Sequence, residues 1–163
     1  MEDFEAWVLA RGASLARSAY LLTGDVHLAE DLVQDTLARV ADRWRRVSRR
    51  GAPDAYARQV MHHLAIDRWR RRRARPREVL TDAHPELGGS GPDLERRLVL
   101  REALLRLTPK QRAVVSLRFY EDLTEVQAAA VLGCSVSTVK SQTRVALERL
   151  RALAPDLIEE VRR

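Results

Sequence analysis

The sequence contains little cysteine, few aromatic residues and no long apolar run. Its 163 residues include one cysteine, Cys134, and aromatic residues make up 5% of the chain. A single cysteine excludes an internal disulfide, and its position in a predicted helix corner indicates a packing role. No apolar run approaches the roughly 20 residues that cross a bilayer. The acidic opening MEDFEAW also lacks the features of a secretory signal. We therefore expect a cytoplasmic protein with no membrane insertion.

The sequence also lacks patterns that are typical of enzymes. It contains no phosphate-binding glycine loop, no nucleophile motif and no cluster of metal-ligating residues. The four histidines are scattered, and the adjacent pair His62 and His63 lacks the i, i+4 spacing of paired metal ligands. We therefore predict that the protein is not an enzyme and has no catalytic residues, metal site or cofactor.

Positive charge is concentrated in one part of the chain. The formal net charge is +6, and the sequence pI is about 10.3. Residues 44–78 hold twelve arginines against three acidic residues, and therefore most of the excess. Such a charge predicts a polyanionic partner, which could be nucleic acid or an anionic membrane surface.

Apolar residues in the first half of the chain follow helical spacing. Leu15, Ala19 and Leu22 form one set, and the turn sequence TGD follows them, with Asp25 as a helix N-cap. The next helix is predicted from the spacing of Leu28, Leu32, Thr36, Val40 and Trp44. A third helix is predicted to begin near Pro53 and to continue into the arginine-rich sequence RWRRRRARPR.

Composition then divides the chain into two domains. Pro76 ends helical propagation, and TDAHPELGGSGPD contains the Gly, Pro, Ser and Asp that are typical of a loop. We predict a flexible linker over residues 78–98, between a first domain of residues 1–77 and a second of residues 99–163. Capping-box patterns at residues 108–111 and 124–127 mark two helix starts in the second domain. No segment alternates apolar and polar residues for long enough to predict a strand, so the predicted fold is all-α.

The second domain contains a helix-turn-helix pattern. Thr124 can cap the first helix, Gly133 can end it in the left-handed conformation, and Ser135 can cap the second helix. The first helix is expected to bury Val126, Ala129, Ala130 and Leu132. The second is expected to bury Val136, Val139, Thr143, Ala146 and Leu150. The residues left on its other face are Ser137, Thr138, Lys140, Ser141, Gln142 and Arg144.

This polar face suits DNA. An α-helix fits the major groove, where hydroxyls, amides and cations contact base edges. The alternative is an ordinary solvent-facing surface, since these residue types are common there. Seven arginines between residues 68 and 77 favour DNA, because they continue an amphipathic helix that holds them in one place.

Taken together, these motifs resemble the small, two-domain extracytoplasmic-function (ECF) family of bacterial RNA polymerase sigma factors. AEDLVQDTLARVADRW resembles the polymerase-binding helix of sigma region 2, and AYARQVMHHLAIDRWRRRRAR resembles its -10-recognition helix. The segment from Leu104 to Arg151 resembles sigma region 4, which binds the -35 element. Response regulators share a region-4-like helix-turn-helix but lack the first domain.

The resemblance implies an alternative sigma factor that binds core RNA polymerase and promoter DNA. Family members are often held by an anti-sigma factor, which is therefore a possible further partner. By position, the resemblance assigns polymerase binding to Asp31, Gln34 and Asp35, which share one helix face. It assigns the -35 element to Ser137, Thr138, Lys140, Ser141, Gln142 and Arg144. It assigns the -10 element to His62, His63, Arg68, Arg70, Arg71 and Arg73.

Two departures from the family pattern leave the promoter sequence open. His62 and His63 occupy the stretch where the family often has Asn that captures an unstacked -10 base. Val145 occupies a position where the recognition helix often carries Arg, and Arg144 is turned by about 100° from it. The resemblance therefore predicts which elements are bound but not which bases.

Two other functions compete with this interpretation. A DNA-binding regulator could act at an operator, usually as a dimer, but the sequence has no long heptad seam for self-association. We therefore expect a monomer when the protein is free. A basic module for RNA or membrane surfaces is the other alternative, although RNA readers commonly stack bases on exposed aromatic residues, which are few here.

Overall fold

The computed structural model describes residues 2–74 and 91–156, and the chain divides into two compact units, Met1–Leu80 and Thr81–Arg163. All regular structure within these ranges is helical, which confirms the predicted all-α fold. The first unit contains α1 (Glu2–Thr23), α2 (Val26–Asp42), α3 (Trp44–Arg49) and α4 (Pro53–Arg73). The second contains α5 (Pro92–Leu105), α6 (Pro109–Val115), a π-helical turn (Ser116–Tyr120), α7 (Glu125–Leu132) and α8 (Val136–Leu153). None of the described helices is both long and apolar enough to cross a membrane.

Helices α1 and α2 form the predicted hairpin. Gly24 has a φ of 67°, and the Asp25 carboxylate accepts a hydrogen bond from the backbone N–H of Leu28 at 3.0 Å. Within α2, the hydroxyl of Thr36 is buried and donates to the carbonyl of Leu32 at 2.7 Å. A polar residue therefore lies in this core without an unsatisfied donor.

Helix α2 ends earlier than predicted. It stops at Asp42, and Trp44 begins the short helix α3 instead of extending the apolar stripe of α2. The indole of Trp44 packs against the rings of Phe4 and Trp7, with centroid distances of 5.2 and 5.6 Å. The spacing of Trp44 fits α2, but this aromatic cluster with α1 offers it a better-packed position.

A polar clamp joins α4 to α1. Asp54, in the first turn of α4, accepts a hydrogen bond from the indole N–H of Trp7 at 2.7 Å. Its other carboxylate oxygen lies 2.8 Å from a guanidinium nitrogen of Arg11. A carboxylate is also favourable at a helix N-terminus, so Asp54 stabilises both the start of α4 and its packing on α1.

Helix α5 begins within the predicted linker. It starts at Pro92, and Asp93 and Glu95 lie in its first turn, so the last seven residues of that linker are helical. The composition of this stretch suggested a loop. However, proline suits a first helical turn, and acidic residues there interact favourably with the positive end of the helix dipole. Residues 78–90 of the predicted linker lie outside the described residues. Arg75, Pro76 and Arg77 also lie outside them.

The carboxyl end of α5 is capped by a buried arginine. Arg112 donates hydrogen bonds to the carbonyls of Leu104, Leu105 and Leu107 at 2.9, 3.3 and 3.3 Å. Burial lowers the pKa of Arg112 to about 10, so its guanidinium remains charged at neutral pH. The charge faces the negative end of the α5 dipole, and the guanidinium donates to carbonyls at and just beyond the end of that helix.

The second unit has the predicted helix caps. Thr108 with Gln111 and Thr124 with Gln127 form complete capping boxes. Gly133 has a φ of 66°, and the hydroxyl of Ser135 accepts a hydrogen bond from the N–H of Thr138 at 3.1 Å. The turn between α7 and α8 is therefore set by local sequence.

The buried face of α7 differs from the prediction. Val126 is 67% exposed and Ala130 is also exposed, whereas Ala128 and Ala129 pack against Val139 in the core. Residues 128–132 are all apolar, so their pattern leaves the inward-facing side of this short helix undetermined. Packing against α8 selects that side.

Two glycines offer a matched test of local stability. We expect Gly133→Ala to destabilise the second unit by about 1–2 kcal/mol, because an alanine resists the left-handed conformation. An added Cβ would meet no atom within 4 Å, so the cost would come from the backbone. The measurement is unfolding in urea, monitored by far-ultraviolet circular dichroism, from which the free energy of unfolding of the second unit is obtained.

The control is Gly12→Ala, within α1. An added Cβ is equally unobstructed there, and alanine should stabilise the first unit by roughly 0.5–1 kcal/mol. All three tryptophans belong to the first unit, so Gly12→Ala should shift the fluorescence transition and Gly133→Ala should leave it unchanged. A Gly133→Ala variant as stable as the parent would contradict the assigned cap.

Candidate nucleic-acid interface

Helix α8 presents part of its predicted DNA-binding set directly to solvent. Ser137, Lys140, Ser141 and Arg144 are exposed, with 63% of the Lys140 side chain and 68% of the Arg144 side chain accessible. Val139, Ala146 and Leu150 are buried on the opposite side, as predicted. Thr138 and Gln142 are half-buried on the flank of this surface. The structure therefore separates the six residues into an outward face of four and a flank of two.

Short polar contacts organise this outward face. The hydroxyl of Ser135 lies 3.1 Å from that of Ser137 and 2.9 Å from that of Thr138. Lys140 lies 3.7 Å from a carboxylate oxygen of Glu125 on α7, and Arg144 lies 3.1 Å from Glu148. These ion pairs are exposed and hence weak, so a phosphate or a base edge can replace either carboxylate.

The two adjacent histidines of α4 have different environments. His62 has a relative exposure of 0%, whereas His63 is exposed. Successive residues on a helix point about 100° apart. His62 is buried in the core of the first unit together with Met61, and His63 therefore points away from that core. The predicted DNA contact of His62 is therefore wrong for this conformation, and His63 remains the accessible candidate.

The arginines at the carboxyl end of α4 also divide into two groups. Arg70, Arg71 and Arg73 are exposed, and the guanidinium of Arg73 lies 4.9 Å from the ring centroid of Trp69. Arg68 is half-buried and forms an ion pair with Asp35 on α2. Three of the four described candidates are thus open to solvent, and the fourth has an acidic partner.

The predicted polymerase-binding residues lie beside these arginines. Asp31, Gln34 and Asp35 are exposed on α2, and we call them the acidic patch. They line an open cleft of about 400 Å³ together with Leu28, Arg68, Arg71 and Arg72. The structure therefore brings together two sets of residues that the sequence assigned to separate partners.

Sequence reasoning missed the ion pairs that form between different helices. The Arg68–Asp35 pair spans residues far apart in sequence, and the Lys140–Glu125 pair crosses the helix-turn-helix corner. The charges of these four residues are visible in the sequence. However, the two residues of each pair lie on different helices, so the spacing of residues within one helix does not predict the pair. The structure also leaves Phe119 52% exposed on the π-helical turn, without an assigned role.

The described residues contain no candidate metal cluster. No group of three or more His, Cys, Asp or Glu side chains within residues 2–74 and 91–156 is arranged to hold an ion. Cys134 is partly buried and packs against the core shared by α7 and α8.

Comparison with known families matches both units. The family described as "Sigma-70 region 2" matches residues 3–75, and "Sigma-70, region 4" matches residues 103–152. The chain is 40% identical over 151 residues to the RNA polymerase sigma-E factor of Streptomyces coelicolor, covering 91% of this chain and 84% of that protein. It is 35% identical over 152 residues to the ECF RNA polymerase sigma factor SigL of Mycobacterium tuberculosis, covering 89% and 85%.

A solved structure agrees with these matches. The sigma factor RpoE of Bartonella quintana, solved in complex with the anti-sigma factor NepR, is similar to this chain with a TM-score of 0.76 and 25% identity. The alignment covers 96% of this chain and 99% of that one. With both sigma-70 regions in order and long alignments to curated relatives, the chain belongs to the ECF family of RNA polymerase sigma factors.

Proposed function

We propose that this protein is an alternative sigma factor that binds core RNA polymerase and directs transcription from promoters with particular -10 and -35 elements. One observation carries the proposal: sigma-70 region 2 and region 4 occur in this order in one chain. An operator-binding regulator would account for the helix-turn-helix but not for region 2. The protein acts by binding rather than by chemical catalysis, and it works in the cytoplasm, on the nucleoid, as part of the holoenzyme.

Region 4 supplies the duplex contact. The exposed face of α8 carries two hydroxyls and two cations, which can contact base edges and phosphates in the major groove. Gly133 and the Ser135 cap hold α7 and α8 at a fixed corner, so α8 enters the groove as a rigid element. Gln142 and Thr138, on the flank of the exposed face, contribute contacts at the groove edge.

Region 2 supplies the contact with opening DNA. Arg70, Arg71 and Arg73 extend from the last turns of α4 and bind phosphates, while His63 is accessible for an unstacked base. Capturing such a base offsets part of the few kcal/mol that unstacking costs. Both domains then bind one promoter, and their attachment to the polymerase makes the second contact effectively intramolecular.

The acidic patch supplies the polymerase contact. Its carboxylates would repel phosphate, so they suit a basic protein surface on the polymerase. An anti-sigma factor is a further partner of the same class as the one bound to the RpoE relative. Such a partner would cover part of these surfaces and keep the sigma factor from the polymerase.

The test is transcription with purified bacterial core polymerase, followed by mapping of the start sites. We expect no initiation by either component alone and initiation at a restricted set of promoters when the two are combined. Repression of particular promoters without any core-dependent initiation would support the operator-binding regulator instead.

The same promoters test the assignments on α8. Lys140→Ala and Arg144→Ala should each weaken -35-dependent initiation, by roughly 1–3 kcal/mol where the lost contact is bidentate to a base. Arg151→Ala removes one charge from an exposed position farther along α8 and is the control. Equal losses at promoters with a scrambled -35 element would contradict base contacts by Lys140 and Arg144.

A further inference from the structure

The acidic patch and the arginines at the end of α4 within residues 68–73, which we call the arginine segment, meet across the cleft between α2 and α4. A guanidinium nitrogen of Arg68 is ion-paired with the Asp35 carboxylate and lies 3.5 Å from the backbone carbonyl of Asp31. The Asp35 side chain is 58% exposed and that of Arg68 is 30% exposed. An arginine from the proposed DNA-binding segment is therefore held by a carboxylate of the proposed polymerase-binding patch.

This pair makes the two surfaces compete for the same charges. The Nη2 group of Arg68, which donates to Asp35 and to the carbonyl of Asp31, cannot donate to a phosphate at the same time, and the paired carboxylate offsets the attraction of the guanidinium charge for phosphate. A basic polymerase group that pairs with Asp35 removes the partner of Arg68. Because the pair is partly exposed, its strength is low enough for such an exchange.

We propose that Asp35 is a positioning residue for Arg68. In the free protein Asp35 withholds the guanidinium from DNA, and docking of the polymerase on the acidic patch releases Arg68 to bind phosphate near the -10 element. This inference rests on the proposed function and adds a coupling between its two partners. By linkage, DNA that engages Arg68 must strengthen polymerase binding by the same factor.

The test uses the full-length free protein and a single-stranded oligonucleotide of roughly 12 nucleotides, a length suited to single-strand sites. Single-stranded DNA avoids the duplex contact of region 4. Affinities are measured by fluorescence anisotropy for Asp35→Asn and for Glu30→Gln, at one low salt concentration. Glu30 is exposed on the same helix and has no ion pair within the described residues. Each variant removes one negative charge, so the two differ only in the loss of the ion pair with Arg68.

We expect Asp35→Asn to bind the oligonucleotide about two- to fivefold more tightly than Glu30→Gln, the range of a surface ion pair. Asp35→Glu, which keeps the carboxylate, should match the parent. In an Arg68→Gln background, Asp35→Asn and Glu30→Gln should bind equally. Circular dichroism checks that each variant is folded.

Equal binding by Asp35→Asn and Glu30→Gln in the parent background would overturn the proposal. An advantage of Asp35→Asn that persists in the Arg68→Gln background would also overturn it, because Arg68 would then not mediate the effect. Core-dependent initiation by the parent protein is measured in parallel. If initiation occurs but the two variants bind alike, the coupling fails while the proposed function stands.

Discussion

Reversing both charges of the acidic patch, Asp31→Arg with Asp35→Arg, is expected to abolish holoenzyme formation. Both side chains are exposed on α2, so the substitutions remove no buried contact of the core. They would place arginines opposite the basic polymerase surface that the patch is proposed to bind. Juxtaposed like charges cost several kcal/mol, so the affinity should fall by at least about a hundredfold.

The measurement is a titration of fluorescently labelled protein with core polymerase. Glu30→Arg with Asp42→Arg is the matched control, because these acids are also exposed on α2 and the net charge changes equally. The control should retain holoenzyme formation. The Asp31→Arg, Asp35→Arg variant should still be helical and should still bind a -35 duplex through region 4. A helical variant with parental affinity for the polymerase would refute the proposed interface.

Replacing Arg70, Arg71 and Arg73 together with Gln should weaken promoter complexes at every cognate promoter. These side chains are exposed at the end of α4, and phosphate contacts carry no sequence information of their own. Each lost phosphate contact reduces the slope of log affinity against log salt by roughly 0.9 on duplex or 0.7 on single strands. Loss of all three contacts should therefore reduce the slope by roughly 2–3.

A second arginine cluster provides the control for this variant. Arg45, Arg46 and Arg49 lie on α3 and are also exposed, so their replacement with Gln changes the net charge by the same amount. Salt titrations of promoter binding by the two holoenzymes give the two slopes. A similar decrease for both clusters would indicate a general charge effect instead of contacts at the end of α4.

The helix starts and the helix-turn-helix corner are largely encoded in short sequence patterns. The caps at Asp25, Thr108, Thr124 and Ser135 occur as predicted because each depends on a side chain and a backbone N–H two or three residues away. The left-handed Gly133 follows for the same local reason. Sequence patterns within single helices and turns are also the basis of the resemblance to sigma regions 2 and 4.

Errors occurred where packing between helices decides the outcome. Trp44 leaves the stripe of α2 for Phe4 and Trp7, and Val126 faces solvent because the alanine-rich α7 has no single apolar side. His62 and His63 were equivalent in the sequence, but only tertiary packing could bury one and expose the other.

By itself, the sequence determined the all-α class, the two domains, the arginine segment and the exposed polar face of α8. These properties depend on composition and on spacings within one helix. Tertiary structure alone decided that Arg112 caps α5 and that Arg68 faces Asp35, because each contact joins different helices. Such contacts depend on how helices cross and not on any local period. For that reason the sequence predicted the acidic patch and the arginines of α4 as separate sites, and only the fold placed them side by side.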